Sequence, residues 1–178
     1  MSEFEIRTGN IDDARMLSKI GADTFWATYG ENDNAEQDDI RKYIAKAYDL
    51  NLIREELSDE SFLYLVAEKE GEAVGYARLR IGSRTEDLTA RHPLEISRIY
   101  VLKQFQGTGY GRKLIERCLE EAARLDCDAL WLSVWRHNHN AIGFYEKMGF
   151  KVEGKTVFDL AGTLHEDLMM AKMVDGES

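Results

Sequence analysis

The sequence predicts an α/β fold in which helices cover a mixed sheet. Three observations point to it. Apolar residues switch between alternating and helical spacing along the chain, giving the order β-α-α-α-β-β-β-α-β-α-β-β. A β-branched run, residues 96–101, passes through a glycine-rich loop into an amphipathic stretch, residues 112–125. No linker, repeat or low-complexity segment divides the 178 residues, so 1–178 reads as one domain, long enough for a substantial core.

Each element has a local reason. Residues 4–7 alternate as a first strand, and Asn10 or Asp12 can cap a helix over 13–29. In that helix Ala14, Leu17, Ile20 and Phe25 form a buried stripe, with Trp26 and Tyr29 at its end. An acidic segment over 31–39 leads into short helices at 40–48 and 50–57. Residues 62–67 and 73–81 form a hairpin around Glu70-Gly71-Glu72, and Pro93 opens the central strand. Leu114, Ile115, Cys118, Leu119, Ala122 and Leu125 recur at helical spacing. A strand at 129–135 and a helix at 140–148, closed by Gly149, precede strands at 150–159 and 164–173.

Composition excludes several classes. The formal net charge of −10 argues against a nucleic-acid partner and suits a small cationic one, although acidic balance also serves plain solubility. No apolar run of about 18 residues exists, so no membrane span is expected. The first residues, MSEFEIRTGN, lack signal-peptide character. Cys118 and Cys127 are too few for a disulfide framework, which fits a cytoplasmic location. His137 and His139 are two apart rather than four, so no metal is expected. Ser97 and Ser133 lack adjacent His-Asp partners, so no hydrolase triad is supported. Trp131 and Trp135 share a strand face and read as core.

The loop Gln106-Gly107-Thr108-Gly109-Tyr110-Gly111 carries the chemistry. Strand, glycine loop and helix N-terminus together present unpaired N–H groups to a phosphate, and glycine tolerates positive φ and leaves no Cβ in the way. A P-loop needs Gly-Lys-Ser/Thr, but Gly111 is followed by Arg112 and Lys113. A dinucleotide fingerprint needs a third glycine where Arg112 stands. What remains is Q-x-x-G-x-G. Glycines also end strands and open helices for structural reasons, so the hexapeptide alone does not decide.

The loop resembles the acetyl-coenzyme A signature of the GNAT (GCN5-related) N-acetyltransferases. Asn138-x-x-Ala141-x-x-x-Tyr145-x-x-x-Gly149-Phe150 is similar to that superfamily's closing motif, and the two occur in the expected order. LEISRIYV, QGTGYG, LWLSVW, the following NAI-x-FY-x-KMGF and the terminal LMMAK look most like bacterial PaiA-type spermidine/spermine N-acetyltransferases. The resemblance implies a mostly antiparallel sheet with a splay beside the central strand, and acetyl-CoA as acetyl donor. It implies that Gln106, Gly107, Gly109, Gly111 and Arg112 line the pyrophosphate, with Thr108 and Tyr110 in the same loop. Main-chain groups of Ile99, Tyr100 and Val101 would pair with the pantetheine arm, an N–H near Ile99 would hold the oxyanion, and Asn138 would touch the coenzyme.

Acetyl transfer to an amine needs deprotonation, oxyanion stabilisation, protonation of the leaving thiolate and alignment. Glu95 stands eleven positions before Gln106, a spacing that resembles the base glutamate of the superfamily's histone-modifying members. It reads as the base, direct or through water, or else as a strand-end carboxylate facing solvent. Tyr145 reads as the acid, or as a core tyrosine beside Phe144. Trp26 and Tyr29 are candidates for a substrate wall. Glu31, Asp33 and Glu36 are expected at its mouth, with Asp38, Asp39, Glu55 and Glu56 part of the same acidic insertion. The expected partner is a small cationic amine, foremost a polyamine such as spermidine. A protein N-terminal or other small-amine acetyltransferase and a non-catalytic acetyl-CoA sensor stay open, as does a homodimer.

Overall fold

The computed structural model describes residues 4–31 and 36–175. In chain order the elements are β1 (Phe4–Thr8), α1 (Ala14–Phe25), α2 (Gln37–Ala47), α3 (Leu50–Ser58), β2 (Phe62–Lys69), β3 (Glu72–Ile81) and β4 (Pro93–Val101). There follow α4 (Tyr110–Arg124), β5 (Ala129–Trp135), α5 (His139–Lys147), β6 (Lys151–Leu160) and β7 (Thr163–Met173). The seven strands form one sheet ordered β1-β2-β3-β4-β5-β7-β6. Only β4 and β5 pair in parallel; the other pairings are antiparallel.

Period-two alternation sorts the sheet into two faces. Leu65, Ala67, Leu94 and Ile96 turn toward α4 and α5, where Leu114, Ile115, Cys118 and Phe150 close the larger core. Tyr64, Val66 and Tyr76 turn the other way, onto Leu17, Ile20, Phe25, Ile40 and Ile53 of α1–α3. Gly21 lets α1 lie close to the sheet, because a Cβ there would sit 2.6 Å from the hydroxyl of Tyr76 on β3.

The α1 helix opens as the sequence implies and ends differently. Asn10 accepts from the Asp12 N–H while Asp13 accepts from the Asn10 N–H, a reciprocal cap. Arg7 forks onto both oxygens of Asp13 at 2.8 Å and holds that carboxyl below its usual range. At the far end the chain widens into a single π turn, Trp26–Gly30, instead of continuing as α-helix.

The central strand also departs from regularity. Arg78 pairs with Arg98 but Leu79 pairs with Ile96, which leaves Ser97 as an extra residue in β4. Arg78 fixes this bulge: its Nε donates to Ser97 Oγ at 2.9 Å, and Ser97 Oγ donates to the Arg78 carbonyl at 3.0 Å. Arg78 Nη1 in turn meets Glu56 at 2.7 Å, and Tyr64 donates its hydroxyl to the same carboxylate. Glu56 is therefore a buried brace beneath the bulge and not part of an acidic entrance.

Candidate active site

The glycine loop runs directly into the N-terminus of α4. Gly107 (φ +75°) and Gly109 (φ +95°) occupy left-handed conformations, and no atom lies within 4 Å of where their Cβ would stand. Gly109 caps α4 without a side-chain bond. The first backbone bond of the helix is Lys113 N–H to the Gly109 carbonyl. Tyr110, Gly111 and Arg112 open α4, where an N–H has no partner four residues back within the helix. Gly111 lies inside α4 with ordinary helical backbone, and a Cβ there would sit 3.4 Å from the Phe144 ring.

The remaining loop residues hold its shape. The Gln106 side chain turns back to donate to the Val101 carbonyl at 3.0 Å, so it ties loop to strand. Thr108 donates to the Phe105 carbonyl. Tyr110 packs its ring against Phe4 (4.9 Å) and Phe105 (5.8 Å). Arg112 is exposed and pairs with Glu116 at 3.0 Å.

Beside this loop the sheet opens. β4 and β5 share three rungs, Pro93–Ala129, Leu94–Leu130 and Glu95–Trp131. Beyond them β4 stays on β3 as far as Val101, and β5 stays on β7 as far as Trp135. The edge of β4 that carries Ile99, Tyr100 and Val101 is thus left unpaired toward β5 and can offer main-chain donors and acceptors to an extended ligand. Ile99 and Val101 pack on the α4 side, and Tyr100 on the α1 side, where its hydroxyl meets that of Tyr48 at 2.5 Å.

Glu95 stands at the fork. Its neighbours Leu94 and Ile96 lie in the larger core, so its own side chain faces the α1–α3 side. Oε2 is buried without a hydrogen-bond partner among the described residues. Arg80, paired with Glu95 across β3, turns instead to the ring of Phe62 at 5.8 Å.

Tyr145 enters from the other side, on α5, packed 5.4 Å from Phe144 and 5.8 Å from Phe150. Burial, with Tyr29 and Tyr100 nearby, pushes its phenol well above the ordinary value. Tyr29 is half-buried, with its phenol pushed up to about 12 by desolvation, and lies edge-on to Trp135 at 5.8 Å. Asn138 accepts from the Ala141 N–H at 3.3 Å and caps α5, with Tyr29 against its side chain.

Trp26 and Tyr29 both pack against the smaller core. Tyr29 faces the sheet, whereas Trp26 lies under the Arg41 guanidinium at 5.0 Å and lines a shallow depression between α1 and α2. The acidic mouth is also only partly assembled. Glu31 is exposed and pairs with Lys103 at 3.6 Å, Glu36 precedes α2, and Asp33 lies outside the described residues. Sequence reasoning missed Asp167. Its signal is an acid in phase with the buried Met169 and Ala171 on β7.

Comparisons with known proteins agree with this geometry. The profile of the Acetyltransferase (GNAT) family matches residues 22–150. The chain is 30% identical over 153 residues to an N-acetyltransferase of Lactobacillus delbrueckii subsp. lactis, covering 86% of this chain and 87% of that protein. It is 26% identical over 91 residues to a spermine/spermidine N(1)-acetyltransferase of Bacillus subtilis (strain 168), covering 51% of this chain and 60% of that one. In fold it resembles the PaiA N-acetyltransferase of Thermoplasma acidophilum, solved in complex with coenzyme A, with a TM-score of 0.77 at 23% identity, covering 96% of this chain and 99% of that one. A family match across most of the chain, on a sheet that opens beside a glycine loop, places this protein in the GNAT acetyltransferase family as an N-acetyltransferase.

Proposed function

We propose that the protein transfers an acetyl group from acetyl-CoA to a primary amine of a small cationic substrate, a polyamine such as spermidine or spermine, by direct attack in a ternary complex. The observation that carries the reaction is the opening of the sheet after Glu95–Trp131, with Glu95 at its closed end. The loop supports the donor: two left-handed glycines leading into the N-terminus of α4 suit a pyrophosphate. Support for the polyamine comes from the spermine/spermidine relative and the net charge of −10.

The residues divide the chemistry. Glu95 takes the proton that frees the nitrogen lone pair, directly or through water. The C–N bond forms, and a backbone N–H near Ile99 receives the charge that gathers on the carbonyl oxygen. Collapse breaks the C–S bond, and Tyr145 gives its phenolic proton to the leaving sulfur. The surplus proton on nitrogen goes to solvent, from which Tyr145 is reprotonated. A phenol as strongly buried as Tyr145 stays protonated at working pH. Transfer to sulfur is feasible because the same burial makes the thiolate a stronger base.

The test is free-thiol release from acetyl-CoA across spermidine, alkyl monoamines, an aminoglycoside and a peptide N-terminus. Turnover highest with spermidine is expected. Turnover with the peptide alone would replace the polyamine reading.

A further inference from the structure

On the α1–α3 face of β7, Asp167 is only 8% exposed. Its neighbours Leu168 and Met170 pack into the larger core on the opposite face. No ion pair or hydrogen bond from any described residue reaches its carboxylate. The nearby cations Arg136 and Lys155 both pair with Glu166 instead, at 3.1 and 3.2 Å. Arg98, the buried cation of this face, donates to the Ala47 carbonyl at 2.8 Å and lies over the Tyr48 ring at 4.6 Å. His165, two residues back on the same face, also has a buried nitrogen, Nε2, with no partner.

The surroundings of Asp167 are aromatic. Trp135 is its rung partner on β5 and Thr156 on β6. Tyr29, edge-on to Trp135, and Tyr43, which packs on Phe158 at 5.0 Å, both lie close enough for their phenols to feel the Asp167 charge. An unpaired carboxylate in such a place destabilises the fold, whereas an apolar side chain would not. Carboxylate plus aromatic rings is the environment that favours an alkylammonium, through charge and through the ring faces.

The position of this site relative to Glu95 adds a length. Glu95 shares a rung with Trp131, and Trp131 with Ala171, four residues along β7 from Asp167. Four residues of strand span about 13 Å, and the step from β4 over β5 to β7 adds two strand spacings, about 10 Å, at right angles to it. Two unpaired carboxylates, separated along one sheet face, suit a ligand with nitrogens at both ends of a flexible chain. A monoamine fills one site only.

We propose that Asp167 is a specificity-determining residue that binds the second, non-reacting ammonium of a diamine or polyamine acceptor. The inference rests on the amine-acetyltransferase reading above and names the residue that selects among amines. It assigns Asp167 no part in proton transfer.

The experiment compares wild type, Asp167→Asn and Asp167→Glu with spermidine and with butylamine, following thiol release, while calorimetry checks that coenzyme affinity is retained. Losing one partner of a buried charge pair is expected to lower kcat/KM for spermidine roughly 30-fold or more. The loss should fall mainly on KM, butylamine should change by less than about twofold, and Asp167→Glu should restore part of the preference. Equal losses on both amines, or no loss on either, would overturn the assignment. Should Asp167→Asn fail to fold, the wild type decides: in the presence of coenzyme A, spermidine must bind at least tenfold tighter than butylamine, and equal binding overturns it. If wild type acetylates spermidine and Asp167→Asn does so with unchanged KM, the subsite alone is wrong. If wild type acetylates only peptide N-termini, the polyamine reading falls and the subsite with it.

Discussion

Glu95 and Trp131 form the last rung that joins β4 to β5. Past this rung each strand keeps its outer partner and loses its inner one, so the carboxylate sits where the sheet divides. A glutamate facing solvent would be hydrated on both oxygens, whereas Glu95 has one oxygen buried and unmatched.

Glu95→Gln keeps the shape and removes the proton acceptor. Acid–base catalysis by a positioned side chain contributes about 10²–10⁴-fold. We expect kcat at pH 7 to fall by about 10²-fold, with a smaller loss near pH 9.5, where free amine is more plentiful. A pH–rate profile with the same loss at every pH would assign Glu95 to positioning.

Tyr145→Phe keeps the ring in contact with Phe144 and Phe150 and deletes only the hydroxyl. The loss in kcat should be at least about 10²-fold, with coenzyme affinity nearly unchanged. Pre-steady-state kinetics that show an unaltered chemical step would remove the acid role.

Gly109→Ala separates backbone from space. No atom obstructs the new methyl, but φ of +95° is unfavourable for any residue with a Cβ. Holding alanine there costs roughly 1–2 kcal/mol. The loop should relax and weaken acetyl-CoA binding while the rest of the fold persists. Titration calorimetry that returns wild-type affinity would detach this loop from the coenzyme.

Asp167→Asn has a pH signature in stability. Burial pushes the Asp167 carboxyl up to about 6, and His165 offsets only part of that. The folded state therefore holds this proton more tightly than the unfolded chain, whose carboxyl titrates near 3.9. Between those values stability falls as pH rises, because ionisation is easier in the unfolded chain. Asparagine cannot ionise. The variant should match wild type in Tm near pH 4 and exceed it above pH 7. A Tm difference that is the same at both pH values would contradict the burial argument.

The period of the apolar residues carried most of the fold. Residues 129–135 read as a strand and are β5, and the order of helices and strands holds throughout. The glycine loop was legible because it is local: glycine identity, strand before and helix after all lie within a few residues. What depended on distant contacts was not legible. Ser97 looks like any strand serine until Arg78, nineteen residues earlier, claims it and forms the bulge. Glu56 looks like an exposed helix-end acid until Arg78 and Tyr64 bury it. Asp167 carried a signal in its phase with Met169 and Ala171, but a polar residue within an apolar alternation is easily taken as a strand edge.

The most direct measurement is mass spectrometry of spermidine after incubation with enzyme and acetyl-CoA, with free thiol counted in the same sample. The account predicts a singly acetylated spermidine formed in step with thiol release, abolished when enzyme or acetyl-CoA is omitted and strongly reduced in Tyr145→Phe. Unmodified spermidine, with thiol released only in the presence of a peptide N-terminus, would contradict it.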